Sequence, residues 1–140
     1  MSSRLAFLLL VALAACHTER SEEPAGMSLN RIERQVPRRA WNLVDQGQVL
    51  GSVVLFADPA APADASRQFF SVRNPFQQEL GTVDGLGRAW RFQPHRRDAA
   101  LLGTGTVLEG ARRILSGSSS AELAEVPLEL LGAGQVPAGG

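Results

Sequence analysis

The hydrophobic positions of this 140-residue chain change their period along its length. Residues 5–15 form one unbroken apolar run, preceded by Arg4 and followed by Cys16. Residues 17–28 are polar and charged, carry Pro24 and Gly26, and read as a flexible tether. Leu29, Ile32 and Val36 then fit one side of a short helix with Ser28 as N-cap, or equally an extended segment entering Pro37.

From Arg39 the apolar residues take the texture of β-strands. Residues 41–45 and 49–56 flank the turn Asp45-Gln46-Gly47-Gln48, which reads as a hairpin. The second of these runs is apolar on both faces, as a central strand covered on two sides would be. Residues 58–65 are a Pro/Ala loop. Further strand-like runs at 69–73, 78–84 and 88–93 are separated by Asn74-Pro75-Phe76-Gln77, with Pro75 pre-set for a turn, and by Gly85-Leu86-Gly87. Val-Asp before a Gly-bearing turn occurs at both 44–45 and 83–84, an echo better explained by shared turn chemistry than by duplication.

The pattern then switches to a helical period. Thr106 and Glu109 have capping-box spacing, and Val107, Leu108, Ala111, Ile114 and Leu115 form one apolar stripe. Gly117 reads as the left-handed cap, which predicts a helix from Thr106 to Ser116. Residues 121–131 are ambiguous: Ser119 and Glu122 offer a cap, whereas Val126, Leu128 and Leu130 alternate and Pro127 interrupts a helix. The expected fold is a β-rich α+β domain, either a small bent antiparallel sheet or an SH3-like partial barrel of about five strands with one amphipathic helix. The organisation expected is a removable segment 1–15, a tether 16–38, a folded domain 39–117, and a serine linker, short element and disordered tail over 118–140.

A positive start, about a dozen apolar residues and a small-residue exit follow the pattern of a secretory signal peptide. The run is shorter than the roughly 20 residues of a spanning helix. Leu13-Ala14-Ala15-Cys16 resembles the lipobox of bacterial lipoproteins. The resemblance covers the first sixteen residues and implies cleavage before Cys16 and a diacylglyceryl thioether on its sulfur, with the lipid bilayer as the partner that Cys16 engages. It also implies a cell-envelope location; His17 rather than Asp after the cysteine favours the outer membrane, facing the periplasm, in a host with two membranes. Two or more acyl chains would hold stably where one would not. Ala12-Leu13-Ala14 also fits ordinary cleavage after Ala14, which would release a soluble protein with a free thiol.

Composition narrows the function classes. Loss of residues 1–15 would leave 13 arginines against 14 acidic side chains, a formal charge of about −1, and there is no lysine or tyrosine. A near-neutral exported chain argues against nucleic acid as partner. With one cysteine, no disulfide within the chain can brace the fold.

Chemistry-bearing motifs are sparse. Two histidines do not suffice for a metal site, and no nucleophile elbow, zinc-protease, phosphate-loop or dinucleotide motif occurs, so no cofactor is expected. Gly103-Thr104-Gly105 reads as a tight connection before a capped helix. Asp45, Glu79 and Asp84 sit at strand ends, where carboxylates commonly satisfy turn amides, and no catalytic residue is expected. The one concentration of chemistry is at 88–97, where Arg88, Arg91, His95, Arg96 and Arg97 surround Trp90 and Phe92. It is a candidate surface for an anionic partner (lipid phosphates, lipopolysaccharide or peptidoglycan carboxylates) or a further envelope protein. The bland alternative is a solvated strand face over two core aromatics. The expected function is a lipid-anchored, non-enzymatic binding or assembly domain. The rivals are an accessory or minor envelope hydrolase, and an inhibitor or chaperone-like lipoprotein presenting a strand edge.

Overall fold

A computed structural model describes residues 35–131. These residues form a seven-stranded antiparallel sheet with one helix on one face. The strands are β1 (Val36–Asp45), β2 (Gln48–Ala57), β3 (Gln68–Arg73), β4 (Glu79–Asp84), β5 (Arg88–Arg91), β6 (Ala100–Thr104) and β7 (Glu122–Val126). The helix α1 (Val107–Leu115) lies between β6 and β7. Sheet order is β6-β5-β4-β3-β2-β1-β7, so the first six strands meander and α1 carries the chain across the sheet to add β7 beside β1.

The β-rich α+β class and the antiparallel sheet with one helix are as expected, but the strands number seven rather than about five. β6 overlaps Gly103-Thr104-Gly105, read as a connection, and otherwise lies in residues that the sequence pattern assigns to no element. β7 resolves the ambiguous stretch, because Leu43 pairs with Leu123 and Ala40 with Val126. The sheet therefore continues past residue 117, and it begins at Val36 rather than 39. Val36 takes the extended alternative; residues 29–34, and the tail from Gly132, lie outside the described residues. Pro37 is tolerated because β1 carries a register irregularity between Pro37 and Arg39.

Local chemistry sets the turns. Gln46 and Gly47 both have positive φ (50° and 80°), the combination that matches the twist of a two-residue hairpin. Gln77 donates its amide to the Asn74 carbonyl at 2.9 Å, closing the Pro75 turn, and Gly87 does the same to Asp84. The capping box forms as spaced, with Thr106 as N-cap and Glu109 reaching back. The helix ends one residue earlier than expected: Ser116, not Gly117, takes the left-handed conformation (φ 57°, ψ 36°).

The core lies between helix and sheet, where Leu43, Val53, Val72, Val83, Ala89, Ala111, Ile114 and Ala121 are fully buried. Gly110 allows the approach, since a Cβ there would stand 2.5 Å from Val83 Cγ2. The opposite face carries a cross-strand row, Ala40, Val54, Ser71, Thr82 and Trp90, each at most 8 % exposed.

The meander sorts the connections into two ends. The chain enters the sheet at Val36; the loop 58–67, the turn 85–87 and the start of α1 share that end. The hairpin 45–48, the turn 74–78, the loop 92–99 and the connection 116–121 share the far end. β2 has ten residues, so the ends are separated by roughly 33 Å at ~3.3 Å per residue.

Candidate functional site

The arginine-rich segment does not act as one surface, because the strand alternation and the β5–β6 connection send its members in different directions. Arg88 opens β5 and is paired with Asp84, Nε to Oδ2 at 2.6 Å. Asp84 is 5 % exposed and also accepts the amides of Leu86 and Arg88 at 3.0 Å each, so this carboxylate holds the β4–β5 turn. The Arg88 guanidinium also lies 5.9 Å from the Trp90 ring centroid. Arg91, on the helix side of β5, donates to the Ile114 carbonyl at 2.8 Å. It thus caps a helix C-terminus, where a cation complements the dipole. Trp90 is buried, as the bland alternative required.

His95, Arg96 and Arg97 remain exposed on the loop 92–99. Among the described residues, the side chains of Arg96 and Arg97 make no hydrogen bond or ion pair. The loop leaves the sheet where the Phe92 amide bonds the Leu80 carbonyl at 2.9 Å, which sets it beside the turn 74–78 that precedes β4. At the tip of that turn Phe76 is 81 % exposed. Asn74 fixes the turn, its Oδ1 accepting the amides of Phe76 and Gln78. Sequence reasoning passed over Phe76; the signal was a large apolar residue at the second inner position of an Asn-Pro turn, where no core can reach.

The candidate acid–base residues do not converge. Asp45 accepts from the Ser118 amide and hydroxyl (2.8 and 2.7 Å) and from Ser120 Oγ, tying the end of β1 to the connection after α1. Its carboxyl is held below the ordinary Asp value first by the Ser118 amide, then by the Ser118 hydroxyl. Asp84 belongs to the turn just described, Glu79 is exposed at the start of β4, and His95 is in the far-end loop. Among the described residues, no three His, Cys, Asp or Glu side chains group as metal ligands would.

A shallow open hollow of about 400 Å³ lies at the entry end, between Gln68 and Phe70 of β3, the turn 84–87 and the residues 105–107 that open α1. Glu109 already fills the adjoining helix terminus, its carboxylate accepting the Thr106 amide at 2.7 Å, and of the expected connection Gly103-Thr104-Gly105 the first two residues belong to β6, leaving Gly105 to join strand and helix. In the core row, Thr82 Oγ1 and Trp90 Nε1 are buried with no hydrogen-bond partner. No described helix is long and apolar enough to cross a membrane, and Cys16 lies outside the described residues.

Compared with protein-family models, curated proteins and solved structures, the chain matches none.

Proposed function

We propose that this chain is a bacterial envelope lipoprotein, acylated at Cys16, whose β-rich domain works by binding or assembly rather than catalysis. The observation that carries the reading is Leu13-Ala14-Ala15-Cys16 closing an apolar run too short to span a bilayer. The first described strand begins at Val36, and Gln35 before it donates its side-chain amide to the Arg67 carbonyl at 2.6 Å. In a host with two membranes, His17 favours delivery to the outer membrane, facing the periplasm.

The geometry favours binding over hydrolysis because a catalytic pair needs two groups in mutual reach with divergent environments. Asp45 and Asp84 are instead engaged by serines and by turn amides with Arg88. Strand addition to a partner is less favoured. Edge strand β6 has five residues and a register irregularity opposite Ala89/Trp90, and edge strand β7 carries Glu122 and Glu125 and is followed by Pro127, features that blunt an edge.

Metabolic labelling with a fatty acid tests the anchor. Label is expected in wild type and absent in Cys16→Ala; an unlabelled wild type would end the lipoprotein reading.

A further inference from the structure

We infer that the far end of the domain, at Phe76, Arg96 and Arg97, docks on an anionic phospholipid surface, giving the protein a second contact with the bilayer that holds Cys16. The inference rests on the lipid-anchor reading for bringing the tip within reach, and on the described geometry for the tip itself. Phe76 projects from a turn whose backbone is fixed by Asn74, so little conformational freedom remains to be lost on insertion. Arg96 and Arg97 stand on the neighbouring connection without carboxylate partners among the described residues.

The local charge suits an anion. On the β3–β6 side of the far end, Arg91, Arg96 and Arg97 stand against Glu79 and Asp98, a positive balance, while the Arg73 guanidinium turns back to Ser71 and the Phe56 ring. At the entry end Arg67 and Arg88 are matched by Asp58, Asp64 and Asp84.

Shape selects lipid over a polymer or a peptide. Phe76 is a protruding ring, 81 % exposed at the tip of its turn. A defined polymer would need a groove to bury its contacts, whereas a fluid interface closes around a protruding aromatic and offers phosphates to guanidinium groups. The chain can reach: residues 17–35 extend to at most roughly 65 Å, against the roughly 33 Å length of the sheet.

The test uses the purified full-length native protein reconstituted in vesicles, with Phe76→Trp as reporter and brominated lipid as quencher. Trp41 and Trp90 provide the wild-type background. In phosphatidylcholine vesicles containing phosphatidylglycerol, the added tryptophan should be quenched above that background. Arg96→Gln with Arg97→Gln should lower the ratio of docked to free tips roughly 30-fold, as two guanidiniums at an anionic surface imply. Pure phosphatidylcholine should give the same loss.

Background-level quenching in both vesicle types would overturn the inference. So would binding to isolated peptidoglycan that depends on Phe76 and the two arginines while quenching stays at background. The mass of the same preparation reports acylation separately: an unacylated chain whose tip is still quenched supports the tip contact and defeats the anchor, and an acylated chain with an unquenched tip does the reverse.

Discussion

The two ends of the sheet are built on opposite principles. At the entry end, charges are matched inside the structure: Asp84 holds Arg88 and two amides, Arg67 reaches Asp58 and Asp64, and Arg39 grips Glu125 at 2.8 Å. Arg38, at the β1 irregularity, and Glu129, after β7, are exceptions, exposed and outside these pairs. On the β3–β6 side of the far end, the loop arginines and Phe76 are left to solvent. Matched charges hold strands in register and have little left to offer a partner; unmatched ones cost little to keep in water and remain available. Sequence proximity hid this division, since Arg88 and Arg97 are nine residues apart yet belong to different ends.

The largest effect should come from breaking the matched end. Asp84→Ala leaves the Leu86 and Arg88 amides and a half-buried guanidinium without their acceptor, a loss of about 2–4 kcal/mol. Urea unfolding measures it; a loss under about 1 kcal/mol would show that the turn stands without its carboxylate. Arg91→Ala comes next. Its contact with the Ile114 carbonyl is part-buried on an otherwise exposed side chain, so the expected loss is about 0.5–1 kcal/mol. It should appear as increased amide exchange in the last turn of α1.

How much of this was legible depended on whether the cause was local. The hairpin at Gln46-Gly47, the Pro75 turn and the capping box of Thr106 and Glu109 are set by neighbouring residues, and spacing alone located them. β6 and β7 are strands because of what they pair with: Ala100 to Thr104 holds a glycine, and Glu122 to Val126 has two glutamates, so neither announces a strand by itself. The arginine cluster was visible as composition, yet its division was not. Alternation along β5 turns Arg91 toward the helix while Asp84, four residues before Arg88, claims that guanidinium. Only the register between β4 and β5 makes that arrangement visible.

Acid should weaken both ends, through different groups. The Asp45 carboxyl at the far end is lowered from an ordinary 3.8 mainly by the Ser118 amide, and Glu109 at the entry end from 4.5 mainly by the Thr106 amide. A depressed carboxylate favours the folded state above its unfolded value, and that contribution disappears as pH falls through the folded value. Thermal stability should therefore be level near neutrality and decline below about pH 4.5, the ordinary Glu value from which Glu109 is lowered. Asp45→Asn should lower the melting temperature at pH 7, and the gap to wild type should narrow as pH falls below the ordinary Asp value of 3.8. A constant gap across that range would mean that the charge of Asp45 is irrelevant to its serine contacts.

The smallest effect on stability is expected at the tip. Phe76 is 81 % exposed and buries little in the folded domain, so Phe76→Ala should change unfolding free energy by no more than about 0.5 kcal/mol. Arg96→Gln and Arg97→Gln remove charges that hold nothing else in place, and the same bound applies. This near-silence in unfolding is what separates the two ends, because the two arginine substitutions should lower docking of the Phe76→Trp tip on anionic vesicles roughly 30-fold. If instead they destabilise the fold as Asp84→Ala does, then the far end is braced by these side chains. The contrast between a matched end and an available one would then fail.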